Sequence, residues 1–206
     1  MQGLGSFKVR TMKSPALLDI YNSFPFVIER GEGVYLYDTS GKRYIDFYGG
    51  HAVTIVGHSP AKVVAAIAQQ AKKFMFYSNL VQCPIREKGA AELLRFGKFD
   101  DHKVFFCNSG GEANENALKV AIKLTGRAKV ISFHGGFHGR TMLALGATDH
   151  PDWHETYRGW VGPIERITPN LEAELTRIDS ETAAVILEPI QSIGGVTEFV
   201  QPYLEK

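Results

Sequence analysis

The chain has 206 residues, 23 basic against 22 acidic, for a formal net charge of +1. That length buries a substantial core, which excludes a short disordered tail, and the near-neutral balance argues against nucleic acid as the main partner, because backbone phosphates call for a dense basic surface. No apolar run is long enough to span a bilayer, Met1 to Thr11 hold no apolar signal core, and two cysteines, Cys83 and Cys107, make no disulfide framework, so no membrane partner and a reducing cytoplasm are expected.

In chain order, Val34-Tyr35-Leu36-Tyr37 and Arg43-Tyr44-Ile45-Asp46-Phe47 are rich in aromatic and β-branched residues. The intervening Asp38-Thr39-Ser40-Gly41-Lys42 is turn chemistry, so a β-hairpin is expected. The organisation changes near Gly57-His58-Ser59-Pro60, and a division into 1–57 and 58–206 is expected there. Ser59 and Pro60 read as the cap and first turn of a helix, on which Val64, Ile67, Ala71 and Phe74 recur at helical spacing. A second helix follows Pro84. Residues 103–107 (Lys-Val-Phe-Phe-Cys) predict a buried strand. A helix over 112–125, a strand over 129–133, a helix over 172–178 and a strand over 183–187 complete the pattern. Strands alternating with helices predict an α/β fold with a mainly parallel sheet, and ligands in such sheets bind beyond the carboxyl ends of the strands.

Three clusters leave those strands. Asn108-Ser109-Gly110-Gly111-Glu112 is a glycine turn into a helix, with Ser-x-x-Glu capping-box spacing. Its backbone N–H groups have no partner inside the helix and Gly110 and Gly111 carry no Cβ. The turn is therefore either an ordinary capped helix or an anion site favoured by the helix dipole. Phe133-His134-Gly135-Gly136-Phe137-His138-Gly139-Arg140-Thr141 offers a ring for stacking and a guanidinium for a carboxylate. His134 and His138 are four apart, but the glycines disfavour a regular helix and neither Cys nor acid is close in sequence, so no metal is expected. Glu188, at the end of the third strand, reads either as half of a structural ion pair or as a carboxylate facing the ligand crevice.

Together these segments resemble the class-III pyridoxal-phosphate aminotransferases, nearest to the acetylornithine and succinylornithine enzymes. The stretches that carry the likeness are 29–38, Tyr48-Gly-Gly-His-Ala-Val53, Gly57-His58, 108–115, Phe137-His-Gly-Arg-Thr141 and Glu188-Pro-Ile-Gln191. The resemblance implies the first part of a fold-type-I large domain behind the N-terminal hairpin segment. It implies a pyridoxal 5'-phosphate whose phosphate is held by Ser109, Gly110 and Gly111, with Phe137 stacked on the ring and His138 beside it. The family usually has Thr or Ala where Gly111 stands; backbone donation survives that change. Arg140 would bind the α-carboxylate of an acetylornithine-like substrate, with Glu188 and Tyr21 lining the crevice. The implied reaction moves the terminal amino group of an N-acylated ornithine, or a similar ω-amine, to 2-oxoglutarate in arginine or related biosynthesis, in a cytoplasmic homodimer. No lysine here matches the family's Schiff-base motif, so no catalytic residue is assigned. The 206 residues are expected to be an inactive N-terminal piece of such an enzyme, or alternatively a short non-catalytic chain binding a phosphate ligand or a full-length partner.

Overall fold

The computed structural model describes residues 16–18, 20, 23–154, 157 and 159–206. The chain divides into two compact units, Met1–Cys83 and Pro84–Lys206.

In the first unit, strands β1 (Ile28–Glu32), β2 (Tyr35–Asp38) and β3 (Arg43–Ile45) form an antiparallel sheet in that order. The hairpin turns where Asp38 serves as a hub. Its carboxylate accepts the Ser40 N–H (2.9 Å) and hydroxyl (2.6 Å), the Lys42 N–H (3.0 Å) and the Tyr44 hydroxyl (2.7 Å). These bonds favour the charged form and hold the Asp38 pKa down at about 2, the Ser40 hydroxyl contributing most. A short turn, α1 (Gly49–Ala52), and helix α2 (Ala61–Lys73) follow. Ser59 does not cap α2. Pro60 occupies the N-cap, because the chain leaves a backbone bridge between Gly33 and His58 and turns through Ser59 at φ 51°.

The second unit is the α/β layer structure. Helices α3 (Pro84–Gly97) and α4 (Gly110–Thr125) precede strand β4 (Lys129–Phe133). Then come α5 (Met142–Ala147), the short α6 (Pro151–His154), β5 (Ile164–Ile167), a 3-10 turn over Glu172–Arg177 and β6 (Thr182–Val185). The small hairpin β7 (Ile190–Gln191) and β8 (Thr197–Glu198) and the final turn α7 (Gln201–Leu204) close the unit. Strands β5, β4 and β6 pair in parallel with β4 central. Parallel strands covered on both faces are continuously apolar, and Val130, Ile131 and Phe133 are accordingly buried. One face packs Ile131, Phe133 and Ile167 on Phe199 and Tyr203. Helix α5 lies against β4 and β5.

Two expected elements of this unit differ in the fold. Residues 103–107 form no strand, since a strand exists only with a ladder partner and none pairs with this segment among the described residues. Phe105 is correspondingly 72% exposed. The helix expected over 172–178 is a 3-10 turn over Glu172–Arg177, capped where Ile178 donates to the Leu175 carbonyl.

Candidate active site

Helix α4 starts as its sequence predicts. Ser109 is the N-cap, and its hydroxyl accepts the Glu112 N–H at 3.1 Å. The reciprocal half of the box is displaced by one residue: Glu112 Oε2 accepts the N–H of Asn108 (2.7 Å) rather than that of the cap. The first intrahelical bond runs from the Ala113 N–H to the Ser109 carbonyl (3.1 Å), so the N–H groups of Gly110 and Gly111 lie ahead of the helical ladder. A Cβ at Gly110 would meet nothing within 4 Å among the described residues. The helix start therefore presents open ground above its positive dipole end, and the Glu112 charge is engaged by Asn108.

The loop after β4 is laid against this start. Gly139, at φ 132°, approaches so closely that a Cβ there would sit 2.7 Å from the Cα of Gly111. The Thr141 hydroxyl reaches the Gly111 carbonyl at 3.3 Å. Glu115, one turn into α4, fastens the arrangement. Its Oε2 accepts the Thr141 hydroxyl (2.8 Å) and the N–H groups of Leu143 (2.8 Å) and Ala144 (3.2 Å), which are first-turn donors of α5. Asn114 donates to the His138 carbonyl at 2.7 Å. The backbone N of exposed Arg140 thereby lies 3.8 Å from where a Cβ on Gly111 would stand.

Phe137 is half-buried. Its N–H donates to Glu188 Oε2 at 2.6 Å, and its ring meets Trp153 edge-on with centroids 6.3 Å apart. His138 is buried, with its N–H on the Thr148 hydroxyl (2.9 Å) and its Nε2 without a hydrogen-bond partner among the described residues. Burial, aided by the nearby Arg166 charge, lowers its pKa to about 4, so the ring is neutral. Asp149 braces the turn below Phe137: it accepts the Gly135 N–H (2.8 Å) and pairs with Arg166 (3.6 Å). Among the residues singled out in the sequence, the fold brings Ser109, Gly110, Gly111 and Arg140 to one edge, and Phe137 to Glu188. His138 points inward, and Tyr21 lies outside the described residues. Sequence reasoning missed Asp149 and Trp153, which no motif marks. It also missed the bracing by Glu115 and Gln191, although both stand in the quoted stretches.

The sequence profile described as "Aminotransferase class-III" matches residues 19–206. The chain belongs to the class-III aminotransferases. It is 45% identical over 177 residues to the acetylornithine aminotransferase of Listeria monocytogenes serotype 4b, covering 85% of this chain and 45% of that one. Among solved structures, the ornithine aminotransferase from Toxoplasma gondii ME49 superposes with TM-score 0.85 at 28% identity, covering 92% of this chain and 47% of that one. The taurine:2-oxoglutarate aminotransferase from Bifidobacterium kashiwanohense, solved with PLP and glutamate, gives TM-score 0.81 at 26% identity, over 94% of this chain and 49% of that one. The chain spans about half the length of the relatives it matches. The α/β fold is that of the pyridoxal-phosphate aminotransferases of fold type I, and pyridoxal phosphate is the family's cofactor.

The residues present fit that group. An open, Cβ-free helix start suits a phosphate, and a half-buried ring stands within the adjoining loop.

Proposed function

We propose that this chain is the N-terminal part of an aminotransferase that moves the terminal amino group of an N-acylated ornithine, or a similar ω-amine, to 2-oxoglutarate. The observation that carries the reading is the close seating of the Gly139–Arg140 loop on the start of α4, with Phe137 two residues before it. The names of the relatives support the substrate class.

The Gly110 and Gly111 N–H groups would hold the cofactor phosphate with the help of the α4 dipole, and Ser109 holds that turn in shape. Phe137 would hold the cofactor ring and help exclude water there. Arg140 takes the α-carboxylate of the acylated substrate as a two-pronged donor, which orients the far amine. Pyridoxal phosphate supplies an electron sink for the carbon that carries the amine. Arginine or related amino-acid biosynthesis, a cytoplasmic site of action and a homodimer belong to the same proposal.

The test uses the protein produced from its natural gene, supplied with pyridoxal phosphate, N-acetylornithine and 2-oxoglutarate. Glutamate is expected to form. Arg140→Ala is expected to raise KM for N-acetylornithine at least about tenfold, the worth of a charged hydrogen-bonded pair. An absence of glutamate would refute the activity, and an unchanged KM would refute the role of Arg140.

A further inference from the structure

Glu188 stands just beyond β6, and its carboxylate meets a backbone amide instead of open ground: Oε2 accepts the Phe137 N–H at 2.6 Å. Two more contacts follow in order along the same stretch. The Gln191 side-chain amide donates to the His134 carbonyl at 3.0 Å. Gly194 approaches the Gly135 carbonyl so closely that no Cβ fits between them. The segment 188–194 is thus a rail on which 134–137 is laid, with Glu188 holding the last residue. From the other side, Asp149 accepts the Gly135 N–H and donates its own N–H to the Gly136 carbonyl, each at 2.8 Å. Phe137 is therefore set by its main chain, and the contact described for its ring is the edge-on one with Trp153.

We propose that Glu188 is a positioning residue that sets the plane of the Phe137 ring through the Phe137 N–H, and is not a contact of the substrate. A carboxylate suits the task because a charge-assisted bond to N–H is short and about twice as strong as a neutral one. Its removal leaves a part-buried N–H without an acceptor. The ligand of the ring is the one proposed above; the hold on Phe137 does not depend on it.

Glu188→Ala and Glu188→Gln separate the two roles, because glutamine keeps an oxygen for the Phe137 N–H and loses the charge. Three readouts are taken on the protein from its natural gene: hydrogen exchange of the Phe137 amide without cofactor, the Kd for pyridoxal phosphate by fluorescence quenching, and KM for N-acetylornithine. Glu188→Ala is expected to speed exchange about tenfold and weaken cofactor binding about tenfold, as loss of one charged hydrogen bond does. Glu188→Gln is expected to restore most of both, with KM close to that of the parent. Damage by Glu188→Gln equal to that by Glu188→Ala, together with a raised KM, would overturn the proposal in favour of a substrate-facing charge. Unchanged Phe137 exchange in Glu188→Ala would overturn it outright. If the parent protein bound no pyridoxal phosphate while the exchange effect persisted, the cofactor reading would fall and the hold of Glu188 on Phe137 would stand.

Discussion

Gly139→Ala tests the seating of the loop on helix α4. The new Cβ would lie 2.7 Å from Gly111 Cα and 3.1 Å from Ala144 Cβ, and residue 139 has φ 132°. The first neighbour is backbone and cannot swing aside. Holding a side chain at such a φ costs about 1–3 kcal/mol, and forcing a methyl into a closed contact costs a further ~1–3 kcal/mol. A total near 4 kcal/mol corresponds to a fall in Tm of roughly 10 °C for a chain of this size. The structure relieves the clash most readily by lifting the loop from the start of α4, so cofactor affinity falls with stability. Gly159→Ala is the control: none of the described residues lies within 4 Å of its added Cβ. The assay is thermal unfolding with and without pyridoxal phosphate. A Gly139→Ala protein that melts within about 2 °C of the parent and binds the cofactor equally would refute the described packing, since 1 kcal/mol alone moves Tm by about that much.

Two further outcomes follow from the same geometry. Glu115→Ala strips the acceptor from the Thr141 hydroxyl and from the Leu143 and Ala144 N–H groups, and urea unfolding is expected to show a loss of about 2–3 kcal/mol, with Glu115→Gln recovering part of it. His138 has a pKa lowered from 6.5 to about 4, so between those values the unfolded chain binds the extra proton. Its contribution is intact above pH 6.5 and is lost as pH falls toward 4, by up to roughly 3 kcal/mol. His138→Gln is expected to flatten that part of the stability–pH curve, and an unaltered slope would place the acid sensitivity elsewhere.

Local chemistry made much of this fold legible. The cap at Ser109, the glycine turn at 110 and 111 and the buried strand at 129–133 follow from capping preference and apolar runs, and each is present. The segment 103–107 failed because its composition speaks for a strand while strand formation requires a partner that composition does not supply. Ser59 failed because a long-range bridge between Gly33 and His58 sets the backbone just before it. Motifs singled out Phe137, Arg140 and Glu188, and the sequence left open whether the acid was half of an ion pair or faced the crevice. The fold shows Glu188 meeting the Phe137 N–H, across 51 residues of chain, a pairing that spacing does not encode. Asp149 escaped notice for the same reason: it acts on Gly135, fourteen residues away, from a stretch with no motif of its own.

The central claim, that the α4 start and Phe137 belong to a pyridoxal-phosphate aminotransferase, is tested most directly by covalent capture. The protein from its natural gene is incubated with pyridoxal phosphate, reduced with borohydride, and weighed intact and as peptides. One pyridoxyl group per chain is expected, on a lysine other than Lys119, Lys123 or Lys129, with a sharp loss of labelling in Gly139→Ala. Labelling that is absent, or scattered over those three lysines and indifferent to Gly139→Ala, would contradict that claim.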